Sequence, residues 1–536
     1  MFESLLTLHN LIIFWETVFF IYASFLAGAL FLNYFRIDLK TGIKKLIYPV
    51  MLGYGIFGFV GFLLAVFGLF YAVFLRMFLV LILLLSARML TRHFFFLKKY
   101  RQCFDIVKYH LKIFFTDHSF LKVIVVLWVL ANISIVFVPI TGHDTVDYHL
   151  PIIFKALDND VNLLSVNFSI QSGIFGTDSV VYIPVFAEIM YAVPSAIFNN
   201  FVDPFIFQLL QYSALILFLL LLYDFLDKKI ENKFLKIVLL VFVMAIFDFQ
   251  REVLHGGYVD IFVFLFSSAS TLLIMENIHK ETPDKKELGL SAVMLGLGLA
   301  IKYVAGFFAV INGLFLLFGY IRKRITLQNL ILYALIILMV CGFWYARNTI
   351  HYGNPVYPVL SDAQFDYDVG TFIMERNILN FFYFPFFRFG QWFIPDQVNE
   401  SSSRLVVFGY FVLAYLLLAF FIFTKKKFNI IEIMLFSFVE LYLLFSFYMA
   451  HQIRFMLPAV IMLVLLLIFL LDKLYIYLKE KMNGGLYKIF MKFTFAGLYF
   501  IFILFFLANF HYFYVKYNYL IGVYDKAEYI NEIGGM

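Results

Sequence analysis

The sequence predicts an all-α protein that crosses a membrane many times. Of its 536 residues, 63% are hydrophobic and only 14% are charged, whereas a soluble domain is about 45–50% apolar and about 25% charged. Apolar runs of about 18 or more residues, the length of a transmembrane helix, recur along most of the chain. Short loops rich in lysine and arginine alternate with loops poor in lysine, as the positive-inside rule expects. These observations exclude a soluble fold, and they assign the net charge of +6 to membrane orientation and not to a nucleic-acid partner.

The apolar runs predict about fourteen transmembrane helices. The first follows "MFESLLTLHN", which has no basic segment, so we expect residues 11–33 to be a retained helix and not a cleaved signal peptide. The predicted helices comprise residues 10–33, 47–67, 69–89, 121–140, 205–226, 235–247, 259–276, 288–301, 303–320, 327–346, 405–423, 430–449, 456–476 and 492–514. The basic loops then lie in the cytoplasm and both termini lie outside. These loops are "FRIDLKTGIKK", "RHFFFLKKYR", "DKKIENKFLK", "HKETPDKK", "RKR" at 322–324, "KKK" at 425–427 and "KEK" at 479–481.

Three segments are predicted along the chain. Residues 1–120 form an accessory set of helices ahead of the working unit. Residues 121–476 form the core, whose two long outer loops, 141–204 and 347–404, we expect to carry short helices and to pack on the membrane surface. Residues 477–536 add a last helix and a short outer tail. Loops of this length usually have a function, and the first holds seven acidic residues but one lysine, Lys155.

Residues 101–115 differ from the transmembrane runs because their apolar side chains share one helical stripe, with lysines off it. This pattern predicts an interfacial helix on the inner leaflet, with a solvated connector as the alternative. The chain has two cysteines, Cys103 and Cys341, which the topology places on opposite sides of the membrane or within it. We therefore expect no disulfide.

The stretch "TGHDTVDYHLP", residues 141–151, carries the densest polar cluster in the first outer loop. It follows the helix 121–140 directly, and its chemistry-bearing residues are His143, Asp144, Asp147, Tyr148 and His149. A carboxylate at this interface suits a general base, which must reach the proton that it takes. The alternative is a polar helix end that marks the water boundary.

Four cations are predicted at the same outer face, each from a different loop: Arg251, Lys302, Arg347 and Arg454. Lys302 lies within the apolar hairpin "GLGLAIKYVAGFF", where a lone lysine is costly and needs an anionic partner, a carboxylate or a phosphate. Arginine binds phosphate with paired donors and lysine binds it as a point charge. The residues thus predict an outer pocket with carboxylates beside phosphate-binding cations, with snorkelling helix ends as the alternative for each cation.

The stretch "HDTVDYHLP" resembles the first outer loop of bacterial glycosyltransferases of the GT-C superfamily, a group related to protein O-mannosyltransferases and aminoarabinose transferases. Five further segments resemble that family in the same order. They are "YIPVFAEIMYA", "GYVDIFVFLF", "GLGLAIKYVAGFF", "FWYARNTIHYGNPVYP" and "QIRFMLPA". The matches span about residues 121–460. The chain departs from the pattern at His143, which replaces a tryptophan, and at Thr145, which separates Asp144 from the second acid.

The resemblance implies a GT-C-like fold and an inverting transfer of a sugar from a polyprenyl-phosphate carrier at the outer face of the cytoplasmic membrane. It implies that Asp144 is the base on the acceptor hydroxyl and that no cofactor is needed. Asp147 has no counterpart in the family in that role, and we expect it to orient Asp144 or a sugar hydroxyl. Lys302, Arg347 and Arg454, with Arg251, would hold the carrier phosphate. The implied substrate pocket is lined by Tyr148, His149, Glu188, His255, Asp260, Tyr303 and Asn348. The acceptor is a lipid, a glycan or a protein, which places the protein in cell-envelope glycan biosynthesis.

Other functions stay open from the residues alone. A metal site of His143, Asp144, Asp147 and His149 is possible in ligand chemistry. A transporter or flippase of a lipid-linked substrate is the alternative of another class, although the sequence shows no inverted repeat and no paired broken helices. A membrane scaffold would not need Lys302 in an apolar hairpin, and a glycan polymerase or ligase is a related enzyme of similar build.

Overall fold

The protein is mostly helical in a computed structural model, as the sequence predicts. The structure describes residues 8–39, 42–92, 144–159, 163–164, 169–171, 178–181, 183–200, 205–227, 229–232, 234–244, 258–357, 377–381, 401–449 and 453–481, with the single residues 128, 132, 136, 138, 140, 142, 246, 359, 384, 497, 514 and 518. Seven helices in this part of the chain are long and apolar enough to cross a membrane, and four shorter apolar helices accompany them. These helices indicate a multi-pass membrane protein. The predicted helices 121–140 and 492–514 and the interfacial helix 101–115 fall wholly or mostly outside the described residues.

The chain divides into two compact units, which are described separately. Unit 1 comprises Met1–Asp224 and Glu252–Gln364, and unit 2 comprises Phe225–Arg251 and Phe365–Met536. The elements of unit 1 are α1 (Leu8–Tyr34), α2 (Lys44–Val66), α3 (Ala72–Arg92), a π-helical turn (Thr145–His149), α4 (Leu150–Leu157), β1 (Ser169–Gln171), β2 (Asp178–Val180), α5 (Phe186–Phe198), α6 (Phe205–Leu226, whose last two residues belong to unit 2), α8 (Asp260–His279), α9 (Lys285–Ile301), α10 (Ala305–Ile321) and α11 (Leu327–Tyr352). Those of unit 2 are α7 (Phe234–Met244), α12 (Ser401–Phe423), α13 (Ile430–Met449) and α14 (Ile453–Lys481).

Helices α1 and α2 approach closely because glycines lie where their backbones meet. A Cβ atom built on Gly28 would lie 1.9 Å from the Pro49 carbonyl oxygen, and one built on Gly53 would lie 1.8 Å from that of Ser24. Small residues at such crossings let membrane helices pack backbone to backbone. Helix α2 in turn packs along α5.

Helices α8 to α11 share a buried hydroxyl network at mid-length. Ser270 of α8 lies within hydrogen-bond distance of Ser291 of α9, Tyr333 of α11 and the Asn312 amide of α10, at 2.9, 3.0 and 3.1 Å. All four side chains are buried. In an apolar bundle such contacts satisfy polar groups that no water reaches, so the network fixes the register of four helices.

Unit 1 has two chemically different ends. At one end, Lys44 pairs with Glu276, Lys280 pairs with Glu287, and Arg324 donates to the carbonyl of Ile278. Asp260 begins helix α8 at the other end, and the 20 residues of α8 separate the two ends by roughly 30 Å. The basic segments that carry Lys44, Lys280 and Arg324 therefore lie opposite the end that carries Asp260.

Unit 2 is also helical, and α14 is its central element. Asp472 of α14 accepts hydrogen bonds from the backbone amides of Glu231 and Asn232, at 3.0 and 2.8 Å, just before α7. Lys473 of α14 lies 2.5 Å from Glu432 of α13. Tyr410 of α12 donates to the Phe242 carbonyl of α7 at 3.0 Å. Two charged residues of one helix thus hold two neighbouring segments.

The ends of several helices differ from the sequence prediction. Helix α11 continues to Tyr352, so Arg347 and Asn348 are helical residues and do not begin an outer loop. A short antiparallel hairpin, with Ser169 opposite Val180, adds a small β element to the predicted all-α fold. Helix α5, which lies in the predicted outer loop 141–204, is buried almost throughout and packs on α2, α3 and α4. The packing of this loop on the membrane surface stays a prediction.

Candidate functional site

The acidic cluster of the first outer loop forms a π-helical turn. The amide of Leu150 donates to the carbonyl of Thr145, five residues back. Pro151 follows at the start of α4, and a proline has no N–H to donate and crowds the carbonyl four residues before it. The wider turn avoids that clash, and π-helical turns occur frequently at functional sites.

The carboxylate next to this turn, Asp144, is partly exposed. Asp144 immediately precedes the turn and is half-buried, as is Asp147. The Tyr148 hydroxyl donates to Asp144 Oδ2 at 3.2 Å, a contact that the spacing of four residues permits along a helical turn. The Asp144 carboxylate is therefore fixed by a hydrogen bond and remains partly accessible at the surface of unit 1.

The next residue of the turn points into the protein. His149 Nδ1 lies 2.5 Å from Glu188 Oε1 of α5, and each side chain is 1% exposed. The other polar atoms of the pair, His149 Nε2 and Glu188 Oε2, have no hydrogen-bond partner among the described residues. This contact joins two of the predicted pocket residues.

The backbone carbonyl of Tyr258, just before helix α8, accepts two further hydrogen bonds of the polar cluster. The carbonyl of Tyr258 accepts from Gln211 Nε2 of α6 at 3.0 Å and from the Tyr191 hydroxyl of α5 at 3.5 Å. Burial raises the pKa of Tyr191 well above its usual value, and the nearby carboxylates of Glu188 and Asp260 raise it further. Tyr191 is thus a neutral donor between two acidic residues.

Lys302 forms an ion pair with a buried carboxylate. Its Nζ lies 3.2 Å from Oδ1 and 3.1 Å from Oδ2 of Asp260, whose side chain is fully buried. Lys302 ends α9 in an extended conformation and keeps 14% of its side chain exposed. Lys302 thus meets a carboxylate, one of the two partners that the sequence predicts.

Arg347 and Asn348 form a buried corner at the end of α11. Arg347 Nε donates to the Leu163 carbonyl at 2.9 Å, and its guanidinium lies over the Trp344 ring at 4.8 Å. Asn348 Nδ2 donates to the Tyr303 hydroxyl at 2.7 Å, and that hydroxyl donates to the Tyr357 carbonyl at 3.1 Å.

Burial raises the pKa of Tyr303, so this donor stays neutral. Arg347 itself is 4% exposed. The corner therefore ties the first outer loop and the turn after α11 to the bundle.

The remaining predicted site residues are placed differently. Arg454 belongs to unit 2, at the start of α14, where its guanidinium lies 5.1 Å from the Phe455 ring centroid. Arg251, His255 and His143 lie outside the described residues. In the described part of the chain, no three His, Cys, Asp or Glu side chains are grouped so that they could hold a metal ion.

Sequence reasoning missed three residues of the cluster: Tyr191, Gln211 and Tyr258. Gln211 carried the clearest signal, since a glutamine within the apolar run 205–226 needs a buried partner. The role of Tyr258 lies in its backbone carbonyl, and a sequence carries no signal for that. Tyr191 is one of 35 tyrosines, so its type alone did not mark it.

Comparison with known proteins gives one match. A family model described as "Domain of unknown function (DUF8201)" matches residues 190–462, just over half of the chain. It covers α6 to α11 and the segments that carry Asp260, Lys302, Arg347 and Arg454, whereas Asp144 and Glu188 precede it. No curated protein and no solved structure matches the chain.

Proposed function

This chain belongs to the family described as a domain of unknown function, DUF8201, and we propose that it is a GT-C-type glycosyltransferase. It would move a sugar from a polyprenyl-phosphate donor to an acceptor hydroxyl at the extracytoplasmic face of the cytoplasmic membrane. One observation carries the proposal: at one end of unit 1, a series of contacts runs from Asp144 to Lys302. Tyr148 donates to the partly exposed Asp144, the adjacent His149 ring lies 6.5 Å from the Tyr258 ring, and Asp260, two residues further on, pairs with Lys302. The basic segments that carry Lys44, Lys280 and Arg324 lie at the opposite end.

The chemistry assigns a role to each part of this cluster. Asp144 takes the proton of the acceptor hydroxyl, and the resulting oxygen nucleophile attacks the anomeric carbon of the donor sugar. The bond between that carbon and the phosphate oxygen breaks, and the polyprenyl phosphate leaves as an anion. Tyr148, which donates to Asp144 Oδ2, orients the base without supplying a competing negative charge. A positioned general base typically contributes 10²–10⁴-fold to a rate.

Lys302 is the cation of unit 1 best suited to the departing phosphate. Its Asp260 partner makes the resting site neutral, so the lysine is held in place before the donor arrives. A preorganised cation in a water-poor site stabilises developing negative charge more than one in water. Arg347 is occupied by the Leu163 carbonyl, so its proposed contribution is to shape the pocket and hold the loop. The phosphate roles of Arg251 and Arg454, which belong to unit 2, stay predictions.

Reconstitution tests the proposal. The full-length protein in proteoliposomes is given a set of polyprenyl-phosphate sugars with membrane glycolipid extract as acceptor, and released polyprenyl phosphate and glycosylated product are measured by mass spectrometry. We expect wild-type transfer and a loss of at least about 100-fold for Asp144→Asn. Asp158→Asn, which removes an exposed acid at the end of α4, is the matched control and should behave as wild type.

Two outcomes would reject the proposal. Normal turnover by Asp144→Asn would rule out Asp144 as the base. Movement of the lipid-linked sugar across sealed vesicles without a covalent product would favour a transporter.

A further inference from the structure

The His149–Glu188 pair has no part in the proton and phosphate transfers proposed above. Two of its polar atoms, His149 Nε2 and Glu188 Oε2, are buried without a partner among the described residues. A buried polar atom without a hydrogen bond lowers the stability of the fold. The arrangement therefore points to a role besides stability.

The pair is connected to Asp144 through a single helical turn. His149 closes the π-helical turn that Asp144 opens, and the Tyr148 ring packs beside the His149 ring with centroids 4.1 Å apart. Helix α4, which follows, has only eight residues, too few to be stable alone. The polar contact between His149 and Glu188 therefore helps to orient the turn against α5.

The charges around the turn determine how strongly Asp144 holds a proton. The turn itself contributes Asp147 and Tyr148, and α4 contributes Lys155. Helix α5 contributes Glu188 and Tyr191, and the start of α8 contributes Tyr258 and Asp260, the last of these neutralised by Lys302. A buried carboxylate such as Glu188 acts over several ångströms because the surroundings are poor in water.

We propose that His149 and Glu188 are positioning residues for Asp144. Their contact fixes the orientation of the turn, and the negative charge of Glu188 increases the affinity of Asp144 for a proton, which makes it a stronger base. The pair takes no proton in the reaction; the acceptor's proton goes to Asp144. Only the identity of the reaction rests on the proposed function; the effect on Asp144 does not.

The pH dependence of carboxyl labelling at Asp144 tests this directly. A water-soluble carbodiimide with an amine modifies protonated carboxyl groups, and mass spectrometry of the Asp144 peptide gives the pH of half-maximal labelling in the full-length protein. Glu188→Gln keeps an acceptor oxygen for His149 but removes a negative charge, so Asp144 should lose its proton at a lower pH. We expect the midpoint to fall by about 0.5–1 pH unit. Glu188→Asp and Asp158→Asn should keep the wild-type midpoint.

The outcomes separate the two proposals. An unchanged midpoint in Glu188→Gln, or the same fall in Glu188→Asp, would overturn the positioning role. In the transfer assay, Glu188→Gln should lower kcat at least about tenfold with an unchanged apparent KM for the donor, and the acid limb of its pH profile should move to lower pH. An equal fall in kcat at every pH would indicate a structural role only and would also overturn the proposal. A shifted midpoint in a protein whose wild type transfers no sugar would retain the positioning role and reject the glycosyltransferase.

Discussion

At the scale of single residues, the buried Lys302–Asp260 pair shows what the sequence could and could not predict. A lysine in an apolar hairpin requires an anion, and that requirement could be read from "GLGLAIKYVAGFF". Which anion it meets depends on the packing of α8 against α9, 42 residues apart in the chain at this contact. Asp260 opens α8 with its side chain fully buried, so the carboxylate is available to Lys302 in the folded bundle.

The pair gives a prediction for stability. Lys302→Met leaves the Asp260 carboxylate buried and unpaired, which typically costs about 3–5 kcal/mol. The double variant Asp260→Asn with Lys302→Met should recover at least half of that loss, because no buried charge remains. Thermal unfolding of the purified protein in detergent measures both, and wild-type stability in Lys302→Met would show that the pair is not needed. The double variant is also the control for donor binding, since it should fold but still bind a polyprenyl phosphate more weakly than wild type.

At the scale of elements, α5 is the helix that carries Glu188 to His149. Twelve of its thirteen residues are buried. Its C-terminal end is held by Arg76 of α3, whose Nε donates to the Ile197 carbonyl at 2.7 Å and whose Nη2 donates to Asn199 Oδ1 at 2.6 Å. Asn199 ends the helix in the left-handed conformation, which asparagine tolerates well. Arg76 supplies a cation where the helix dipole is negative.

Loss of this cap should be measurable. Arg76→Gln removes the charge and the paired contact, so we expect the free energy of unfolding to fall by about 1–2 kcal/mol. Arg88→Gln, an exposed position on the same helix, is the matched control and should change the stability by less than about 0.5 kcal/mol. Equal unfolding temperatures for the two variants in detergent would show that Arg76 does not hold α5.

The placement of α5 also shows why some of the site escaped prediction. The order and type of the helices follow from long apolar runs, and α6, α8, α9 and α13 lie within about three residues of their predicted bounds. Helix α5 is short and almost wholly apolar, so its sequence does not tell a core helix from one at the membrane surface. Consequently Glu188 could be named as a pocket residue, but its buried contact with His149 could not be predicted.

At the scale of the whole molecule, the positions of the basic residues within unit 1 agree with the positive-inside rule that was used to place the loops. Lys44, Lys280 and Arg324 gather at one end of α8. The polar cluster around Asp144 and Asp260 gathers at the other. The positive-inside rule would put the basic end of such a bundle in the cytoplasm. Under our proposal the cluster therefore lies outside, where lipid-linked sugars and not nucleotide sugars are the available donors.

The central claim is that an acid–base site lies on the extracytoplasmic face. Labelling with a membrane-impermeant maleimide tests it most directly, because it shows which end of unit 1 is accessible from outside. In a variant with Cys103 and Cys341 replaced by serine, single cysteines are introduced at His351, exposed in the last turn of α11, and at Thr282, exposed between α8 and α9. In right-side-out membrane vesicles we expect His351→Cys to be labelled at once and Thr282→Cys only after the membrane is permeabilised. Labelling of Thr282→Cys alone in intact vesicles would place Asp144 in the cytoplasm and contradict the account.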